Sequence, residues 1–218
     1  VRKLFARFPP ILALDVENRL KPKVQFYHDY IGLSMERLSK MIVKQPNILG
    51  LKENNIKATV EYFKNELNMP IEVVQKILYR QPSLLPSSID KKFRPSIELL
   101  MRPLESGGLG LDNVQLIELI GREPCVLVMN QHRLIEKFAT LKKATECSHK
   151  DFQSAVIARP NLMLVSMENS ALPRLRTLKN KDLLPEDKFM IFKLLSYSRI
   201  DFENWLKVQG KRKYKSKE

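Results

Sequence analysis

The sequence predicts an all-α protein built from stacked helical repeats of about 36 residues, and a recurring proline is the first observation behind this prediction. Prolines at positions 9, 46, 82, 124 and 160 are separated by 37, 36, 42 and 36 residues. A fixed period in this range is typical of repeat architectures. An aliphatic or methionine side chain returns three residues after each proline, and it is expected to tuck under the next helix: Leu12, Leu49, Leu85, Leu127 and Met163.

The second observation is an apolar pattern upstream of each proline. Residues eight, five and four positions before it are apolar, as at Leu38, Met41 and Ile42 in the clearest copy. This spacing places them on one face of a helix. Twelve residues before each proline stands a residue suited to a helix start: Ser34, Pro70, Asp112 and Ser148. Each repeat should therefore open with a helix of about three turns that the proline ends.

Composition is the third observation. The chain has 218 residues, of which 44% are hydrophobic and only 7 are glycine, and no run alternates with period two. No apolar run reaches the roughly 18 residues that a membrane span needs. The two cysteines form no CxxC motif, so the sequence indicates a reducing compartment without a disulfide framework.

Taken in order, the elements form one repeat domain over residues 1–206 and a basic tail over 207–218. Second helices are expected at 16–30, with a stop at Gly32, at 54–67 and at 131–144, and after Pro160 from near Pro173. The surplus length around 102–110 should form a surface loop. Because the chain begins inside a repeat, we expect further residues before Val1. The predicted repeats are 1–33 (partial), 34–69, 70–111, 112–147, 148–184 and a terminal cap at 185–206. The first helix of the cap is expected at 186–195. Phe202 and Trp205 should cover the open face of this last repeat.

The chain is strongly basic, with 38 Lys and Arg against 24 Asp and Glu and a net charge of +14. Such an excess indicates a polyanion partner, most commonly nucleic acid. Two sets of cations repeat with the period. The first basic ladder, two residues before each proline, is Arg7, Lys44, Arg80 and Arg122, with Arg159 one place late in the next repeat. The second basic ladder, 9 to 14 residues after the proline, is Arg19, Lys21, Lys23, Lys57, Lys91, Lys92, Arg94, Arg133, Lys137 and Arg174.

Equivalent positions of a regular repeat array line up, so each ladder predicts a stripe of positive charge suited to phosphates. The alternative is that these residues occupy solvated helix faces. The pattern favours phosphate and shape recognition over base reading. Phe26, Phe63 and Phe138 fall at apolar helix positions and are expected in the core, which leaves no platform for stacking bases.

Catalysis and metal binding have little support. The three histidines, His28, His132 and His149, lack metal-ligand spacing and cysteine partners. The glycines at 107, 108 and 110 lack the lysine and strand of a phosphate-binding loop, and Ser88 to Lys91 matches S-x-x-K without companion motifs. We expect no enzymatic activity, no cofactor and no metal.

These repeats resemble the mitochondrial transcription termination factor (mTERF) family. Segments 38–49, 74–85 and 116–127 carry the resemblance best, and it extends from residue 5 to about residue 202. Two departures are the six extra residues in the third step and Met163 in place of leucine. The resemblance implies a curved, right-handed solenoid whose basic concave side meets double-stranded nucleic acid in mitochondria or, alternatively, chloroplasts.

Within the range of that family, the expected ligand is double-helical nucleic acid, with structured ribosomal RNA slightly favoured over organellar DNA. The protein would then act in mitochondrial ribosome assembly or structure, with ribosomal proteins as further partners, or in organellar gene expression. One alternative is a DNA-binding transcription termination factor. The other is a helical scaffold for a protein partner. Neither a membrane nor a small-molecule substrate is expected.

Overall fold

The computed structural model describes the backbone of residues 6–215 and the side chains of 6–209 except that of residue 104, and every regular element in this part is helical. The all-α prediction is confirmed. Within the same residues, no helix is long and apolar enough to cross a membrane. The α-helices are α1 Lys21–Ile31, α2 Met35–Lys44, α3 Glu53–Glu61, α4 Ile71–Arg80, α5 Arg94–Met101, α6 Asn113–Arg122, α7 Gln131–Thr145, α8 His149–Ala158, α9 Leu172–Asn180, α10 Lys188–Leu195 and α11 Arg199–Lys215.

The first helix of each repeat follows the predicted pattern. In α2, Leu38 and Met41 are fully buried, while Ile42 is half-buried. Ser34 is the N-cap, and its hydroxyl accepts from the Arg37 N–H at 3.4 Å. Asp112 begins α6 with a reciprocal capping box. These side chains satisfy N–H groups that have no partner inside the helix, which fixes where the helix starts.

A short 3-10 turn begins at each repeat proline: Pro9–Ala13, Pro46–Gly50, Pro82–Leu84, Pro124–Val128 and Pro160–Leu164. In the last four repeats the side chain three residues after the proline is buried, as predicted. For Leu12 the prediction is wrong, because that side chain is 72% exposed. Later turns lie against the preceding second helix, as when the Tyr27 hydroxyl donates to Ile48 O at 2.7 Å. No such helix precedes Leu12 among the residues described.

The residue six positions after each repeat proline is the N-cap of the next helical segment. Asp15, Ser88, Asn130 and Ser166 are the N-caps in four repeats, and each side chain accepts a backbone N–H. The fifth such position is Lys52, whose side chain makes no capping hydrogen bond. A lysine has no acceptor to offer an N–H group. The start of α3 is therefore the one of these five with a cation in place of an acceptor.

Three second helices open with a π-helical turn: Val16–Leu20, Ile89–Phe93 and Met167–Ala171. Each of these turns ends two residues before a proline, at positions 22, 95 and 173. Proline lacks an N–H and its ring clashes with the carbonyl four residues earlier, so the wider turn relieves the clash. After Pro160 the α-helix α9 begins at Leu172, so the predicted start near Pro173 is confirmed, and the π-helical turn Met167–Ala171 precedes it.

The chain divides into two compact units. In unit 1, α2 lies beside α4 and α4 beside α6. In unit 2, α8 packs against α10, and Phe202 joins Leu178 and Leu194 in a core that Trp205 partly covers. Unit 1 consists of the described residues up to Glu98 together with Asp112–Met129, and unit 2 of Leu99–Leu111 together with the described residues from Asn130 onward.

The extra residues of the third repeat form a loop that is only partly on the surface. Residues 105–107 are exposed, as predicted for a surface loop, and Gly107 has φ +82°, whereas Gly108 and Leu109 are buried. Gln153 Nε2 donates to Leu109 O at 2.8 Å. At Gly108 a Cβ would lie 2.0 Å from Arg102 O, so glycine permits this close backbone approach.

Candidate nucleic-acid interface

The first basic ladder lies at the C-terminal ends of the first helices of unit 1. Arg7 Nη1 is 3.3 Å from Lys44 O, Lys44 Nζ donates to Arg80 O, and Arg80 Nη1 is 3.3 Å from Gly121 O. Each cation thus reaches forward by one repeat and binds a carbonyl at the end of the next first helix. Such carbonyls lack intrahelical donors and carry the negative end of the helix dipole. The repeating cation therefore caps the following repeat, a role that the sequence spacing did not reveal.

Two further members of this ladder make other contacts. Arg122 pairs with Glu118 on its own helix at 2.7 Å. Arg159 belongs to unit 2, its side chain is half-buried, and its Nε is buried without a hydrogen-bond partner. Arg7, Lys44 and Arg80 share the forward contact to a helix carbonyl.

Lys44 and Arg80 also line a groove between α2 and α4, which we call the α2–α4 groove. Lys40 and Tyr79 complete the walls of this 260 Å3 cleft. The Arg37 guanidinium lies 5.9 Å from the centroid of the Tyr79 ring. Four cations therefore surround one tyrosine. Lys40 and Arg37 lie four and seven residues before Lys44, so helical spacing from the ladder would have found them.

One carboxylate approaches this groove from α2. Glu36 Oε1 accepts from Lys40 Nζ at 2.7 Å, and both side chains are largely exposed. The hydrogen bond to Glu36 raises the pKa of Lys40 above its ordinary value. Lys40 consequently remains charged at any physiological pH.

Some side chains of the second basic ladder are exposed, and others contact neighbouring side chains. In unit 1, Arg19, Lys91 and Lys92 are exposed, and their side chains make no hydrogen bond or ion pair within the described part of the chain. Three other members in unit 1 pair with carboxylates: Lys21 with Glu17 at 2.6 Å, Lys23 with Glu53 at 3.4 Å, and Arg94 with Glu66 at 2.7 Å and Asp90 at 3.1 Å. The ammonium group of Lys57 lies 5.8 Å from the centroid of the Phe26 ring.

In unit 2 only Arg133 of this ladder is exposed. Lys137 Nζ donates to Met163 O, and Arg174 Nη1 donates to Leu195 O at 2.6 Å. Burial lowers the pKa of both Lys137 and Arg174. These two side chains hold the following repeat, so the structure does not place the whole ladder in one exposed line.

The aromatic predictions have mixed outcomes. Phe63 and Phe138 are buried, as expected. Phe26 is only half-buried and stacks on Tyr30 with centroids 5.3 Å apart and planes inclined by 9°, so its assignment to the core was wrong. The ammonium groups of Lys23 and Lys57 lie over this ring, and cations take the place of the apolar neighbours that a core residue would have.

No chemistry-bearing cluster accompanies these surfaces. Among the described residues no three His, Cys, Asp or Glu side chains converge on a common point. Cys125 is half-buried, and burial raises the pKa of its thiol to about 11. Such a thiol is protonated at neutral pH and is a poor nucleophile.

Comparison with known proteins gives one result. The sequence model of the family described as mTERF matches residues 1–203. A comparison with curated proteins found no match. The matched segment contains all the repeat prolines and the cations of both ladders.

Proposed function

Since the chain belongs to the mTERF family, whose members bind nucleic acid in organelles and are not known as enzymes, we propose that it binds double-helical nucleic acid through the α2–α4 groove of unit 1. Structured ribosomal RNA is the favoured ligand, and ribosome assembly or structure the favoured setting. The observation that carries the proposal is the convergence of Arg37, Lys40, Lys44 and Arg80 around Tyr79.

The groove suits a phosphate backbone. Lys44 and Arg80 each use one N–H group on a helix carbonyl, and both side chain types carry further donors that remain for phosphate oxygens. Capping also holds their charged ends in place, which reduces the entropy lost on binding. Charge of this kind positions a duplex without reading its bases.

A-form RNA is favoured because nothing in the groove resembles a base-reading set. Double-stranded RNA is recognised by its shape, phosphates and 2′-hydroxyl groups, and the Tyr79 hydroxyl can hydrogen-bond a 2′-hydroxyl. The basic residues of 207–218 resemble the extensions of ribosome-associated proteins and add charge to the same partner.

The test compares an RNA duplex with a DNA duplex of the same sequence by fluorescence polarisation over a salt series. We expect tighter binding to RNA, with affinity falling steeply as salt rises. The double variant Arg37→Gln/Lys40→Gln should weaken binding by about tenfold or more at moderate salt. Neither side chain caps a helix carbonyl, so the fold should be unaffected. Lys64→Gln/Lys143→Gln is the matched control, since it removes two exposed, unpaired cations elsewhere.

Each outcome has a defined meaning. Equal losses in the groove variant and its control would show that net charge alone drives binding. Unchanged affinity in the groove variant would refute the site. A preference for the DNA duplex would favour the transcription-factor alternative, and salt-insensitive binding that requires a protein partner would favour the scaffold.

A further inference from the structure

We propose that a second cleft in unit 1 binds a nucleoside phosphate, either free or as the 5′-terminal nucleotide of an RNA. The cleft lies where the starts of α1 and α3 meet the end of the 3-10 turn Pro46–Gly50. Its volume of 330 Å3 falls within the roughly 300–1,000 Å3 of small-molecule sites. It is distinct from the α2–α4 groove, with which it shares no residue.

The charged residues that line the cleft are mostly cationic. Arg19, Lys23 and Lys52 line it together with a single carboxylate, that of Glu53. Arg19 and Lys52 are exposed, and their side chains make no hydrogen bond or ion pair among the described residues. The cleft therefore holds more positive than negative charge in the absence of a ligand.

Lys23 gives the strongest indication of an anion site. Its side chain is only 15% exposed, and its Nζ lies 3.4 Å from Glu53 Oε1 and 5.6 Å from the centroid of the Phe26 ring. Charge-assisted N–H···O bonds are ordinarily about 2.7–2.9 Å long, so this contact is a loose one. A mostly buried ammonium gains more from a close anionic partner than an exposed one does. A phosphate in the cleft would supply that partner.

Lys52 adds to the same charge. It occupies the position that holds Asp15, Ser88, Asn130 or Ser166 in the other repeats, where the side chain accepts a backbone N–H. At the start of α3 this position is a lysine. Its side chain cannot accept a backbone N–H, so it does not compete with an incoming anion.

The cleft also has apolar lining residues, which suit a flat ring attached to the phosphate. They are Leu14, Pro22, Leu49 and Leu51, and Gly50 lines the cleft without a side chain. A flat ring can lie against such a surface while its phosphate reaches the cations. A terminal phosphate monoester carries about −1.5 to −2 charge near neutral pH, more than a phosphodiester, and suits three cations better.

The experiment is a calorimetric titration of the intact chain with adenosine 5′-monophosphate, and with adenosine as the uncharged comparison. We expect the monophosphate to bind at least tenfold more tightly than adenosine. Lys23→Met and Lys52→Ser should each weaken binding at least tenfold. Lys52→Ser restores the capping side chain of the other repeats and so keeps the helix start. Lys64→Gln should leave the affinity unchanged.

A second titration separates the two sources of the ligand. Single RNA strands with a 5′-phosphate and with a 5′-hydroxyl are compared, and an advantage for the phosphorylated strand that Lys23→Met abolishes identifies an RNA terminus. Binding of the free monophosphate without that advantage identifies a free nucleotide. Binding of neither, or binding that both cleft variants leave intact, overturns the proposal. The result is independent of duplex binding, because Arg37→Gln/Lys40→Gln should retain full affinity for the monophosphate.

Discussion

Replacing Arg80 by methionine should destabilise unit 1, because the guanidinium caps the end of α6 in the next repeat. Its Nη1 lies 3.3 Å from Gly121 O, and its Nη2 lies 3.9 Å from a carboxylate oxygen of Glu123. Methionine keeps most of the apolar stem and has a helix propensity close to that of arginine, so the change removes chiefly the charged contacts.

The size of the effect follows from the exposure of the site. Hydrogen bonds to charged groups contribute about 1.5–3 kcal/mol, and cations at a helix C-terminus about 0.3–1 kcal/mol when exposed. The Arg80 side chain is 42% exposed, so solvent screening favours the lower range and a loss of about 1 kcal/mol. For a chain of this size that corresponds to a fall in Tm of roughly 2–4 °C.

The assay is urea and thermal denaturation followed by far-UV circular dichroism. Lys76→Met is the matched control, because Lys76 lies one turn earlier on α4, is exposed and makes no side-chain contact in the described part of the protein. Arg80→Met should unfold at lower urea concentration than this control. Coincident unfolding curves for the two variants would refute the capping role and would leave the ladder as surface charge.

Three further perturbations test other contacts. Tyr27→Phe removes a buried hydroxyl that donates to Ile48 O at 2.7 Å, and its free energy of unfolding should fall by about 1–2 kcal/mol in urea denaturation. Gly108→Ala brings a Cβ to 2.0 Å from Arg102 O, and it should lower the free energy of unfolding by about 1–3 kcal/mol in the same assay. The added Cβ of Gly107→Ala meets no atom within 4 Å, so this variant should lose less stability despite the positive φ at residue 107. Because burial raises the pKa of Cys125 from 9.0 to about 11, its thiolate fraction at pH 8 is roughly a hundredfold lower than that of an unfolded thiol. Iodoacetamide should therefore modify it slowly in the native protein and faster as the pH approaches 11; native and denatured rates that agree at pH 8 would contradict the assignment.

The period and the first helices were accessible from the sequence, because both depend on local chemistry. Ser34 and Asp112 begin helices by accepting nearby N–H groups, and each repeat proline ends one, so short patterns were sufficient. The buried face of α2 followed from the spacing of Leu38 and Met41 in the same way. The family match over residues 1–203 confirms the resemblance that these patterns indicated.

The candidate site was less accessible, because charge spacing does not tell what a long side chain reaches. Lys44 of the first basic ladder and Arg174 of the second were both predicted to bind nucleic acid, yet one lines an exposed groove and the other is half-buried against the carbonyls of Leu195 and Tyr197. Lysine and arginine stems span several ångströms, and their charged ends can bind a neighbouring repeat as readily as a phosphate. Only the three-dimensional contacts distinguish these cases.

The π-helical turns that open second helices occur in alternate repeats. They precede the prolines at 22, 95 and 173, in the first, third and fifth repeats, and the intervening second helices begin without one. Gln75 and Gln153, at the same position of the third and fifth repeats, each reach back about 44 residues, to Ile31 O and Leu109 O. Deleting one repeat would place two proline-bearing helices in succession and leave such a glutamine facing the wrong carbonyl. We therefore expect removal of two successive repeats to preserve these contacts better than removal of one.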